Sequence, residues 1–272
     1  MPSQGMGFSI ATWNINSVRL RIGLVERLLK EWQPDVLCLQ ETKCPQGQFP
    51  SAPLKEIGYG HIAEFGQKGY HGVAIVSKRP FTAQTSHDFC SKGDSRHVSV
   101  TFEGAKPIEL HNFYIPAGGD EPDPKVNEKF AHKLQFLDEL EAWSTQKAKA
   151  KGHRILVGDL NIAPLVHDVW SHKDLLKVVS HTPIETDAMK RIMAAGAWHD
   201  VMRRHVPEDQ KLYTWWSYRA KDWNAADRGR RLDHIWTDAA LAERSGGLQV
   251  HRDARGWQQP SDHVPVMARF DI

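Results

Sequence analysis

The chain has 272 residues, 40% of them hydrophobic and 25% charged, with ten Trp and ten Phe to furnish a large core. A formal charge of +2 neither demands nor excludes a polyanionic partner. No window approaches the roughly 18 apolar residues of a membrane span, and no basic segment followed by a long apolar stretch opens the chain as a leader. Three cysteines without CxxC spacing, one of them inside the apolar run VLCLQ, read as reduced thiols and point to a cytoplasmic protein.

Strand-like runs recur along the chain: FSIATWN (8–14), DVLCLQE (35–41), GVAIVS (72–77), HVSVTF (97–102), IELHNFY (108–114), ILVGD (155–159), LDHIW (232–236) and VPVMARF (264–270). Between the first two, SVRLRIGLVERLLKEW (17–32) has helical spacing, with Ser17 as candidate N-cap and Pro34 past its end. A second helical period runs through 125–149 and stops before Gly152, and a third covers 186–204. Gly158, after three buried-type residues, reads as a tight turn. No repeat or linker divides the sequence, so one domain over 1–272 is expected, of α/β layers rather than an all-parallel sheet.

Several runs end in a residue able to bind a metal or move a proton. These are Asn14, Glu41, Tyr114, and the pair Asp159 and Asn161, two apart as on one side of a strand. Asp262 and His263 directly precede the last run, and Asp233 lies within the one before. Singly, each is an ordinary cap, turn or half-buried residue. Together they point to one rim of the sheets.

Asn, Glu and Asp oxygens suit a hard cation, Mg²⁺ with Mn²⁺ as a possible substitute, and Glu41, Asn14 and Asp262 leave room for phosphate oxygens. No HExxH or Cys/His spacing supports zinc. His263 beside carboxylates suits acid–base work or neutralisation of developing charge. Asp159 could take a proton from a water that Asn161 positions. There is no GxSxG, P-loop or GxGxxG.

From Val201 to Arg231 eight Lys and Arg stand against four acids, interleaved with Tyr213, Trp215, Trp216, Tyr218 and Trp223. Such a stretch meets phosphates and bases together, or is a solvated loop with aromatic feet in the core.

TWNINSVR (12–19), LQETK (39–43), NFYIPAG (112–118), GDLNIAP (158–164), YTWWSYR (213–219), RGRRLDHIW (228–236) and SDHVPV (261–266) occur in the order seen in the exonuclease III family of Mg²⁺-dependent DNA repair nucleases, which the chain resembles over nearly its whole length. The resemblance implies a four-layer α/β sandwich with two central mixed β-sheets flanked by helices. It implies Glu41 as principal metal ligand with Asn14 and Asp262 nearby, and Asp159 orienting or deprotonating water. Asn161 and Tyr114 would touch the scissile phosphate, and His263 would pair with Asp233. The implied substrate is double-stranded DNA, cut 5′ to abasic sites or trimmed from 3′ ends by a chain expected to act as a monomer. Trp215 or Trp216 would then line the pocket of an extruded sugar, and Arg219 and Arg230 would hold phosphates.

Ala117 stands where the family often has a polar residue, so a phosphate contact from that side chain is lost. The stretch 171–186 carries no chemical motif, and reads as a surface insert near DNA or as packing. Two rival readings stay open: a superfamily enzyme acting on a lipid or inositol phosphate, and a non-catalytic DNA-binding relative.

Overall fold

A computed structural model describes residues 7–272. The leader expectation falls partly on residues 1–6, outside the described residues. In chain order the strands are β1 (Gly7–Asn14), β2 (Val36–Gln40), β3 (His61–Phe65), β4 (Val73–Ser77), β5 (Ala83–Thr85), β6 (His97–Phe102) and β7 (Ile108–Tyr114). They continue as β8 (His153–Asp159), β9 (His199–Asp200), β10 (Trp215–Trp216), β11 (Gly229–Arg230), β12 (Asp233–Thr237), β13 (Ser245–Val250) and β14 (Val266–Asp271). Two six-stranded sheets form, ordered β13-β14-β1-β2-β4-β3 and β5-β6-β7-β8-β12-β9. Each is mixed: β1–β2 and β7–β8 run parallel, and their other pairings are antiparallel.

Side-chain alternation sets the layers. Ile10, Val36 and Cys38 of the first sheet meet Val100, Leu110, Ile155, Val157 and Ile235 of the second in one buried cluster. The opposite face of the first sheet, with Ala11, Trp13, Leu37 and Leu39, takes Val25, Leu28 and Leu29 of α1 (Val18–Trp32). The opposite face of the second, with Phe113, Leu156 and Trp236, is covered by two long helices, Glu128–Lys147 and Pro183–Gly196. The result is a four-layer α/β sandwich with two central mixed sheets flanked by helices. Among the described residues no helix is long and apolar enough to cross a membrane.

Local details differ from the sequence expectations in instructive ways. Ser17 does not cap α1 with its side chain. It sits at φ 84°, and its N–H instead donates to the Glu41 carbonyl at 2.7 Å, tying the helix start to the end of β2. The helix expected over 186–204 begins at Pro183 and breaks after Gly196, where Ala197 turns left-handed (φ 48°) and the Trp198 indole fills the space a Cβ on Gly196 would take. Residues 199–200 then pair with β12, and a short separate helix follows at Val201–His205. Asn127 caps the Glu128–Lys147 helix by accepting the Lys129 N–H. β3, β5 and β13 have no counterpart among the expected runs, and β13 separates β12 from the last strand.

Gly158 is not the turn read from the sequence. It lies inside β8 at φ 140°, and a Cβ there would overlap the Phe113 carbonyl on β7. Gly158→Ala is therefore expected to cost about 3 kcal/mol or more, as backbone strain and overpacking add. A urea melt measures this, and a loss below about 1 kcal/mol would contradict so close an approach.

Candidate active site

Register brings the expected residues together. Tyr114 on β7 is aligned with Asp159 on β8, and Asp159 with Asp233 on β12, so three groups form a row across the top of the second sheet. Asp159 and Asp233 share their strands' inward face with apolar core residues two positions away, Val157 and Ile235, which are aligned with each other below the row. From the first sheet, Asn14 ends β1 on the same face as Ile10, and Glu41 follows β2 in a left-handed conformation (φ 48°).

The Asn14 amide joins the two sheets. Its Nδ2 donates to Glu41 Oε1 at 2.9 Å and to Asp159 Oδ2 at 2.8 Å, while its Oδ1 accepts the Asn16 N–H at 3.0 Å. Asn161, also left-handed (φ 53°), donates its N–H to Asp159 Oδ1 and its side-chain amide to Asp159 Oδ2 (3.2 Å) and the Ile115 carbonyl (2.9 Å).

His263 Nδ1 lies 2.8 Å from Asp233 Oδ2, and Nε2 lies 3.6 Å from Asp159 Oδ2. Its backbone is pinned from β1, since the Trp13 indole donates to the His263 carbonyl. Burial alone would push this imidazole's pKa down, but the Asp233 carboxylate and then Asp159 outweigh it and raise it to about 10. The imidazolium is the resting form. Burial also raises Asp159 above the ordinary carboxylate range, opposed by His263. Glu41 goes the other way: burial would raise it, but Lys43, 3.0 Å away, and Asn14 hold it lower. Burial, with Glu41 and Asp159 close by, keeps the Tyr114 phenol protonated.

Glu41, Tyr114, Asn161 and His263 line a cleft of about 620 Å³, with Asn14, Asp159 and Asp233 buried beneath them. Trp215 and Arg230 stand on its wall, the guanidinium 5.3 Å from the ring centroid, and Arg219 lies at its edge. Trp216 is 2% exposed and packs on Tyr213, Ala254 and Val264, so it belongs mostly to the core. Asp262 Oδ2 accepts the Trp215 indole N–H at 2.9 Å and Oδ1 faces Asn16 at 3.4 Å. A larger cavity, about 1030 Å³, opens at the far end of the strands against Phe8, Phe102 and Ile272, and contains none of the expected residues.

Trp170 lies outside the sequence expectations; it forms a second stacked pair on the cleft wall with Arg228 of the basic stretch (4.7 Å), while Trp223, an aromatic of that stretch, stacks with Arg252 (4.9 Å). The alternation of Arg and Trp across 170, 215, 223 and 228–230 was the available signal. The 171–186 stretch also reaches the cleft, through Val179 and Ser180.

Residues 11–263 match the endonuclease/exonuclease/phosphatase family. The chain belongs to that family. Within it, the chain is an exonuclease III-like nuclease: it is 28% identical over 270 residues to exodeoxyribonuclease III of Haemophilus influenzae, covering 95% of this chain and 98% of that one. Among solved structures, an AP endonuclease from Archaeoglobus fulgidus superimposes with a TM-score of 0.88 at 33% identity, over 97% of this chain and 100% of the other. A 3′-5′ exonuclease from Neisseria meningitidis gives 0.89 at 31% identity, with the same coverage.

Asn14→Ala removes the one donor shared by Glu41 and Asp159. It is expected to cost about 1.5–3 kcal/mol, the range for hydrogen bonds to charged groups. Chemical denaturation without metal measures it, and an unchanged midpoint would show that the amide is not the seam's fastener.

Proposed function

We propose that this cleft hydrolyses phosphodiesters of double-stranded DNA, cutting 5′ to abasic sites and removing nucleotides or blocking groups from 3′ ends, with Mg²⁺ as the resident cation and Mn²⁺ as a substitute. The observation that carries the reading is the Asp159 carboxylate. It is held by Asn14, Asn161 and His263 just beneath a cleft that Asn161 and His263 line and that arginines stacked on tryptophans wall. Such walls grip a polyanionic backbone and unstacked bases, which a compact inositol phosphate does not need.

The donor set fits a hard divalent cation. Glu41 and Asp262 both line the cleft, and each carboxylate keeps lone pairs beyond those given to Asn14, Lys43, Trp215 and Asn16. Asp159, Asp233 and His263 also bring ligand atoms within 4.8 Å of one another, but His263 spends Nδ1 on Asp233, which suits a proton-holding pair better. Glu41 and Asp262 are thus the proposed metal ligands. Asn14, whose oxygen takes the Asn16 N–H, serves as the bridge that aligns the carboxylates beside them. The bound cation would neutralise phosphoryl oxygens and the leaving oxygen.

In the proposed reaction Asp159 receives a proton from the attacking water, whose oxygen bonds to phosphorus as the P–O3′ bond breaks; the departing O3′ keeps that bond's electron pair and takes a proton from solvent water, leaving a 3′-hydroxyl and a 5′-phosphate. Both amide protons of Asn161 are spent on Asp159 and Ile115. Its Oδ1, which accepts no hydrogen bond among the described residues, is free to orient that water. The His263 imidazolium, fixed by Asp233, and the Tyr114 phenol face the phosphoryl oxygens as positive and neutral donors. Arg230, Arg219 and Trp215 hold flanking phosphates and the displaced sugar. An empty position has no base to unstack, so extrusion there costs less. Acting as a monomer, the chain would meet its substrate where DNA is held, in the cytoplasm of a bacterial cell.

The test is cleavage of a labelled duplex with one abasic analogue, with Mg²⁺, with chelator, and with Asp159→Ala. The expected result is a Mg²⁺-dependent cut 5′ to the lesion, abolished by chelation and slowed about 10³-fold or more in the variant. Turnover of an inositol phosphate with the duplex left intact would overturn the assignment.

A further inference from the structure

The 171–186 stretch has no catalytic motif, yet it shapes the cleft, and one buried ion pair explains how. Lys133, on the Glu128–Lys147 helix, and Glu185, in the first turn of the Pro183–Gly196 helix, are both fully buried, with Nζ 2.5 Å from Oε1. The ammonium also donates to the Asn161 carbonyl at 2.8 Å and the Ala117 carbonyl at 3.3 Å, which accounts for its three protons. Glu185 in turn accepts the Ser180 N–H on both oxygens (3.0 and 2.9 Å) and the N–H and hydroxyl of Thr182.

Three separate loops of the cleft therefore converge on one charge pair: the loop after β7 through Ala117, the loop after β8 through Asn161, and the 178–182 turn through Glu185. The turn extends the connection, because Arg230 Nη1 donates to the Val179 carbonyl (3.2 Å) and lies 2.9 Å from Ser180 Oγ. The packing around the ammonium's stem is tight. A Cβ on Gly118 (φ 91°) would lie 2.9 Å from Lys133 Cδ and 3.0 Å from Val179 Cγ1. Buried ion pairs rarely outdo apolar packing in stability, so stability alone is a weak reason for this one.

We propose that Lys133 is a positioning residue for the reaction: with Glu185 it fixes the Asn161 main chain, and through it the amide on Asp159, while setting the distance from Asp159 to the Val179–Ser180 wall. The proposal rests on the nuclease reading above and adds to it a residue outside the reacting groups. A misplacement of about 1 Å at a reacting group costs on the order of 10²-fold in rate.

The test is the double variant Lys133→Met/Glu185→Gln, which removes both charges together and leaves no unpaired ion in the core. Expected are a melting temperature within about 5 °C of wild type, KM for the abasic duplex changed less than about threefold, and kcat lowered roughly 10–100-fold. Gly118→Ala, which crowds the Lys133 stem at Cδ and the Val179 methyl without removing the charge, should lower kcat in the same sense. The side-chain amide resonance of Asn161, assigned with Asn161→Asp, should shift in the double variant while that of Asn112 stays. A folded double variant with wild-type kcat and an unmoved Asn161 resonance would overturn the proposal, as would loss of the fold, which would assign the pair to stability. If the wild type leaves the duplex intact, the nuclease reading fails, and the resonance still decides whether Lys133 holds Asn161.

Discussion

Two sheets packed face to face leave a seam, and polar groups that surface along it must find partners across it. The Asn14 amide meets that requirement. It stands on the first sheet and donates to a carboxylate from each side, Glu41 and Asp159. Below it a second polar bolt crosses the core: Asn112 donates to the Leu39 and Ala74 carbonyls, and Gln40 donates to Asn112 and Thr12, all three side chains fully buried. A buried amide with unmet donors would cost several kcal/mol. These contacts therefore fix the spacing of the sheets near the rim, and the reacting groups inherit that spacing.

The same constraint explains the electrostatics. Asp159 and Asp233 face each other on neighbouring strands, 1% and 0% exposed, a placement unfavourable for two carboxylates unless a cation joins them. His263 is that cation. It comes from the first sheet's last segment, where the Ser261 hydroxyl donates to the Asn14 carbonyl and accepts the His263 N–H. The imidazolium is thus as much part of the seam as of the chemistry. One acceptor is left over: Asp233 Oδ1 is buried with no partner among the described residues, a cost that packing alone does not explain.

Much of this architecture was legible because the strands that carry it are buried on one or both faces and read as apolar runs. Of those without a signal, β5 is Ala-Gln-Thr, exposed throughout, β13 opens Ser-Gly-Gly with a bulge against β14, and β3 is an edge strand of the first sheet with only Ala63 fully buried. The helix over 183–196 was misplaced because its periodicity continues into 201–205. The break depends on a glycine accommodating an indole two residues on, a tertiary contact. In the site, the identity of the rim residues could be read from strand ends. Their partners could not, since the alignment of Tyr114, Asp159 and Asp233 is a matter of register between strands far apart in sequence. The left-handed turns at Glu41 and Asn161, which aim those side chains inward, leave no mark on composition either. Trp216 combines the two readings of such a stretch: it is packed in the core and also lines the cleft.

The basic stretch itself shows how a cleft for a polyanion can be charged and stiff at once. Arginines free in solvent lose side-chain entropy on gripping a phosphate. Here alternation along 230–233 divides the work. Arg230 faces the cleft, stacked on Trp215 and held by the 179–180 turn, so part of that entropy is already spent. Arg231 points the other way, fully buried, and spans Asp168 and Asp200, with Arg203 completing the network on Asp168. Its burial would lower its pKa, but the two aspartates hold its charge firmly. Leu232 packs between, and Asp233 reaches His263. A buried network of this kind contributes little net stability over apolar packing; what it does is lock the strand's register. Because a shift of one residue would exchange Arg230 for Arg231 and move Asp233 off the row, the charge on the cleft wall and the charge that holds the imidazolium are set by the same buried arginine.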